Sequence, residues 1–145
     1  MFQRILVICT GNICRSPVAA AMLAKALPGR QVSSAGLGAL VGHGVEPTAR
    51  ALAEANGLDV ADHKARQVNQ EILQAADLIL VMSEGQRRAV GDQAPETLGK
   101  TMLVGKWLDG GHGREIPDPY RKSHDVFEHV HQLLKDATDA WATRL

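Results

Sequence analysis

The chain has 145 residues, 45% of them hydrophobic and 22% charged. That size and balance predict one domain, residues 1–145, with enough apolar side chains for a substantial core. The 16 basic and 16 acidic side chains cancel, so there is no net basic field for nucleic acid or an anionic membrane surface. No apolar run approaches the length of a membrane span. Met1-Phe2-Gln3-Arg4 leads straight into a short strand pattern, without a signal-peptide core. The two cysteines, Cys9 and Cys14, lie too close in sequence for a disulfide to constrain much chain. A reducing cytoplasm is the expected setting.

The predicted elements alternate. Arg4 to Ile8 reads as a first strand, followed by a loop and then a helix from Pro17 to about Leu27, stopped by Pro28-Gly29. Gln31 to Ser34 is a second strand, and Ala35 to Gly44 a glycine-rich loop. Pro47 opens a second helix, which Asn56-Gly57 ends. Asn69 caps a short helix through Ala76. Asp77 to Met82 is a third strand, and its continuous apolar centre suits a strand covered on both faces. Ser83 and Gln86 form a capping box for a helix to about Val90. Thr101 to Val104 is a fourth strand, and Gly105 to Pro119 a loop. The last helix runs from near Ser123 to about Thr143, with Val126, Val130, Leu133, Ala137 and Trp141 at helical spacing. Strands alternating with helices predict an α/β fold: a parallel sheet with helices on both faces and right-handed crossovers. Ligands of such sheets bind outside the carboxyl ends of the strands.

The segment Cys9-Thr10-Gly11-Asn12-Ile13-Cys14-Arg15-Ser16-Pro17 sits at such an end. Pro17 fits a first helical turn, where its missing N–H is harmless. Gly11 and Asn12 tolerate left-handed backbone. Loop N–H groups and a helix N-terminus converging on one point make an anion site. A thiol in that positive field is expected to ionise readily. Arg15 can grip two oxygens of a phosphate with its planar fork. Ser16 offers a hydroxyl to the sulfur. A thiolate facing a bound phosphate is a nucleophile for phosphoryl transfer.

This stretch resembles the signature of the low-molecular-weight protein tyrosine phosphatases, C-x-G-N-x-C-R-S, through Cys9, Gly11, Asn12, Cys14, Arg15 and Ser16. His63-Lys64-Ala65-Arg66-Gln67 and Asp118-Pro119-Tyr120-Arg121-Lys122-Ser123 also resemble family segments. The pattern is most similar to bacterial members acting on tyrosine autokinases of exopolysaccharide and capsule export. The resemblance implies a four-stranded sheet of order 2-1-3-4. It implies hydrolysis of protein phosphotyrosine by Cys9, through a phosphocysteine intermediate that water cleaves. Residues Thr10 to Ser16 form the phosphate cradle. Asp118 is the acid for the leaving phenolate and then the base for water. No metal or cofactor is called for. Ser34 is expected to act on Asn12, with His63 beside them. The expected partner is a membrane tyrosine autokinase with a phosphorylated cytoplasmic tail, met by a monomeric enzyme that neither binds nucleic acid nor inserts into the membrane.

Tyr120, the only tyrosine, is expected to form one wall of a phenyl slot, and the Ala35–Gly44 loop the other. Leu40 stands where well-known eukaryotic members carry a Trp, which predicts a shallower, less aromatic pocket. Cys14 reads either as a small residue packed under the loop or, as the resemblance implies, as a redox partner that captures oxidised Cys9 in a disulfide. His43, His112, His124, His129 and His131 read as surface residues, as do the pairs Arg87-Arg88 and Arg121-Lys122, the latter flanking the site. Two other functions compete with this reading. Thioredoxin-coupled arsenate reductases of similar fold need a downstream cysteine pair, and no cysteine follows Cys14. A non-catalytic phosphotyrosine-binding module needs neither Cys9 nor Asp118.

Overall fold

Residues Ile5 to Ile8 are almost wholly inaccessible, and their side chains alternate between two cores. Ile5, Val7 and Cys9 face one apolar cluster, and Leu6 and Ile8 the other. Leu78 and Leu80 likewise join the first cluster, Ile79 and Val81 the second. Strand side chains point alternately to the two faces of a sheet. A strand covered on both faces therefore reads as a continuous apolar run, which is why the two central strands were legible.

The computed structural model describes residues 2–145. In chain order it has β1 (Arg4–Cys9), α1 (Arg15–Ala26), β2 (Gln31–Gly36), α2 (Pro47–Ala55), α3 (Gln70–Ala75), β3 (Leu78–Val81), α4 (Glu84–Gln93), β4 (Thr101–Leu103) and α5 (His124–Ala142). Two 3-10 turns, Pro95–Lys100 and Asp109–Gly111, complete it. The sheet is parallel throughout, with order β2-β1-β3-β4, as the family resemblance implies. Buried side chains of α1, α2 and α5 fill the first cluster, while Leu73 of α3 and Val90 of α4 fill the second. Among the described residues no helix is long and apolar enough to cross a membrane.

Local chemistry sets the boundaries. Asn69 Oδ1 caps α3 by accepting from Ile72 N at 2.8 Å. Asn56 ends α2, and Gly57 follows at φ 78°, the left-handed exit that glycine permits. Helix α1 begins at Arg15, two residues before the expected Pro17, because the loop curls directly into the first turn. Helix α4 continues to Gln93, past the expected Val90. Half of its capping box forms: Ser83 Oγ accepts from Gln86 N at 3.2 Å, but the side-chain Oε1 of Gln86 accepts from Met82 N at 2.8 Å. On α5, Val130, Leu133, Ala137 and Trp141 are buried, as the spacing predicts, whereas Val126 is only partly covered. Trp141 Nε1 donates to Leu103 O at 3.2 Å, tying α5 to β4.

Candidate active site

All four strands run the same way, so their carboxyl ends share one edge, and the Cys9–Pro17 loop lies there. Its backbone has an unusual hydrogen-bond balance. Five successive carbonyls accept from outside the loop. Cys9 O takes Leu37 N at 3.0 Å, Thr10 O takes Gly38 N at 2.9 Å, and Gly11 O takes Leu40 N at 3.1 Å. His63 Nε2 lies 2.7 Å from Asn12 O, and Glu46 N is 2.8 Å from Ile13 O. A carbonyl only accepts, so His63 carries its proton on Nε2 here. Successive amides whose oxygens are held outward leave their N–H groups to the inside, the concave anion site that a nest of N–H dipoles makes.

Asn12 is the buried hub of this turn, at φ 59° and without solvent exposure. Its Nδ2 donates to Ser16 Oγ at 2.8 Å and Ser34 Oγ at 3.0 Å, and its Oδ1 accepts from Arg66 N at 3.0 Å. Asn is among the few residues that adopt left-handed backbone readily. Gly11, by contrast, is not left-handed, and a Cβ there would meet only Ile13 Cγ1, at an ordinary 3.6 Å. Of the two residues that tolerate left-handed backbone, the turn uses Asn12 alone. Ser34 and His63 both reach Asn12, Ser34 through the side chain and His63 through the carbonyl.

Ser16 Oγ lies 2.9 Å from Cys9 Sγ. Because Ser16 accepts from Asn12, its own proton is free to point at the sulfur. Cys9 and Cys14 are both buried free cysteines. Burial, reinforced by the nearby Glu46 carboxylate, pushes the Cys14 thiol from 9.0 up to about 12, so it stays protonated at neutral pH. Arg15 Nη1 donates to Ile116 O at 2.7 Å, and Nη2 stands 3.7 Å from Asp118 Oδ2. Arg15 Nε is buried without a protein acceptor. A buried charged donor left over in this way calls for a ligand oxygen.

Cys9, Thr10, Gly11, Ile13, Cys14 and Arg15 line a pocket of about 180 Å³ together with Gly38, Leu40, Asp118 and Tyr120. The expected slot walls therefore do face one cavity. Asn12 and Ser16 are not among its lining residues; their side chains brace the loop from behind. Larger grooves lie elsewhere, such as one of about 430 Å³ beside β2 and α3, but they lack the thiol and the buried guanidinium. Asp118 is half exposed, and its Oδ1 accepts from Tyr120 N at 3.1 Å. This Asx turn aims the carboxyl back over the loop. The Arg121 guanidinium stacks over the Tyr120 ring at 5.3 Å.

Two surface assignments change. His131 is half-buried, and desolvation lowers its pKa. Arg87 is no mere solvated cation: its Nε donates to Thr101 O at 2.8 Å, joining α4 to β4. His124 pairs with Glu128 at 2.7 Å beside Asp125, at the exposed start of α5, and none of the three lines the pocket. Sequence reasoning gave no role to Arg66, Ile116 or Glu46, each of which holds the site partly or wholly through a backbone group that carries no side-chain signal.

A thiol at the floor of an anion nest, a buried arginine fork and a carboxyl above them suit attack of sulfur on a phosphate ester. The chain belongs to the low-molecular-weight phosphotyrosine protein phosphatase family, whose model matches residues 4–145. It is 48% identical over 145 residues to the low-molecular-weight protein-tyrosine-phosphatase Wzb of Salmonella typhimurium, covering all of this chain and 95% of that protein. The structure matches that of the tyrosine phosphatase Wzb from Escherichia coli K30 in complex with sulphate, with a TM-score of 0.95, 46% identity and 99% of each chain covered. It also matches Vibrio vulnificus Wzb in complex with benzylphosphonate, with a TM-score of 0.95, 43% identity and both chains fully covered.

Proposed function

We propose that this protein tyrosine phosphatase works by covalent catalysis at Cys9. The observation that carries this is the outward bonding of five successive loop carbonyls around Cys9, which leaves the intervening N–H groups to hold a phosphate. Cys9 Sγ attacks phosphorus in its nucleophilic thiolate form as the bond to the tyrosine oxygen breaks. The N–H groups and the Arg15 fork hold the nonbridging oxygens throughout, which is electrostatic preorganisation. Asp118 gives its proton to the leaving phenolate. The same carboxylate then takes a proton from water, which attacks the phosphocysteine and restores the thiolate. Ser16, Asn12, Ser34 and His63 hold the geometry. Leu40 and Tyr120 receive the ring, and the sulphate and benzylphosphonate bound by the two Wzb structures support an oxyanion beside an aromatic group here.

For the substrate we propose a phosphotyrosine on a bacterial tyrosine autokinase of exopolysaccharide or capsule export, as the family resemblance implies. A cytoplasmic setting follows from that partner and keeps the free thiol reduced. The test has two parts. The parent should hydrolyse phosphotyrosine peptides, whereas Cys9→Ser should not, because a serine hydroxyl stays protonated. Arg15→Lys should also be nearly inactive, since an ammonium lacks the bidentate grip. Cys9→Ser should retain phosphoprotein on pull-down. Substantial turnover by Cys9→Ser sinks the mechanism; retention of proteins that lack phosphotyrosine sinks the substrate assignment.

A further inference from the structure

Gln86, far from the loop in sequence, reaches into the site with a fixed hydrogen-bond polarity. Its side chain is nine-tenths buried. Its Oε1 accepts from Met82 N at 2.8 Å. Only an oxygen can do that, so the amide orientation is settled and Nε2 faces the other way. There Nε2 lies 3.3 Å from Thr10 Oγ1. An amide nitrogen only donates, so Thr10 oxygen is the acceptor in this contact. Thr10 lines the pocket with Cys9 and Arg15, and among the described residues its hydroxyl proton has no protein acceptor.

We propose that Gln86 is a positioning residue that sets the Thr10 hydroxyl as a hydrogen-bond donor to a nonbridging oxygen of the bound phosphate. The proposal presupposes the phosphatase function above and adds to it a control on phosphate affinity from outside the signature loop. Gln86 is free for this task because Ser83 Oγ caps α4 without its side chain. A capping box would have sent Gln86 Oε1 to the Ser83 N–H. Its shift to Met82 leans the amide toward the carboxyl edge of the sheet, where Thr10 stands.

Gln86→Glu tests the polarity with little change of shape. A carboxylate still accepts from Met82 N, but it cannot donate to Thr10 and instead takes the Thr10 proton for itself. Inorganic phosphate binding is read by calorimetry, and kcat and KM on p-nitrophenyl phosphate by initial rates. The measurements are made for Gln86→Glu, Thr10→Val and the double variant. Gln86→Glu should weaken phosphate binding and raise KM by about tenfold, the loss of one hydrogen bond to a charged group. Thr10→Val should do the same, while Thr10→Ser, which keeps the hydroxyl, should lose clearly less than Thr10→Val. On the Thr10→Val background, Gln86→Glu should have only the smaller effect of its added charge.

An equal factor for Gln86→Glu on both backgrounds overturns the proposal, because charge or fold alone then explains it. So does parent-like phosphate binding by Thr10→Val, which does not depend on the Gln86 variants folding well. A failure of the phosphatase reading would look different: the parent itself would not turn over the ester.

Discussion

The left-handed hub at Asn12 allows a quantitative prediction. Asn12→Ala removes three side-chain hydrogen bonds, to Ser16, Ser34 and Arg66 N. Each contributes about 1 kcal/mol net, and the groups left behind are buried. Alanine held at φ 59° costs about 1 kcal/mol more than a residue that tolerates this region. The sum is about 4 kcal/mol, a large share of the 5–15 kcal/mol that usually stabilises a domain. At about 2–4 °C per kcal/mol for a chain of this size, Tm should fall by about 10 °C. Asn12→Gly loses the same bonds but fits the backbone, so it should be roughly 0.5–1 kcal/mol more stable than Asn12→Ala. Urea denaturation followed by circular dichroism measures both, and p-nitrophenyl phosphate turnover at a temperature where each variant is folded measures the cradle. Both variants should be strongly impaired in turnover. A Cm for Asn12→Ala equal to the parent's would refute the hub, and a glycine variant less stable than the alanine variant would refute the backbone argument.

Asp118→Asn should lower phosphotyrosine hydrolysis by roughly 10²–10⁴ but affect esters with very acidic leaving groups less; an equal loss on both classes points to a structural role. Leu40→Trp should change the ranking of kcat/KM among aryl phosphates and phosphopeptides, since Leu40 lines the pocket beside the loop; an unaltered ranking removes it from the ring slot. For Cys14, burial raises the folded-state pKa from 9.0 to about 12. The folded protein then holds this proton more tightly than the unfolded chain. Its contribution is complete below pH 9 and is lost as pH rises toward 12, so Cys14→Ala should show a flatter alkaline limb in a stability–pH scan. We also expect mild peroxide to inactivate the enzyme through a Cys9–Cys14 disulfide that thiol reverses. Cys14→Ser should keep most activity but recover poorly after peroxide; recovery equal to the parent's leaves Cys14 as packing only.

Much of the fold was legible because its signals are local. The apolar runs Ile5–Ile8 and Leu78–Val81, the caps at Asn69 and Asn56-Gly57, and the spacing along α5 are each set by neighbours within a few residues. The nucleophile, the arginine and the left-handed asparagine lie in one continuous segment, so their order alone outlined an anion loop. What the sequence could not determine is which way each hydrogen bond runs. The cradle works because Leu37, Gly38, Leu40, Glu46 and His63 take up its carbonyls, and four of these five act through backbone N–H groups that every non-proline residue has. Gln86 read as half of a capping box until the folded chain set Thr10 beside it. His131 and Arg87 read as surface residues until α5 and α4 packed down. Local composition decides which segments become strands, helices and turns. Only the tertiary structure decides which donors meet which acceptors, because those partners come together only when distant segments pack.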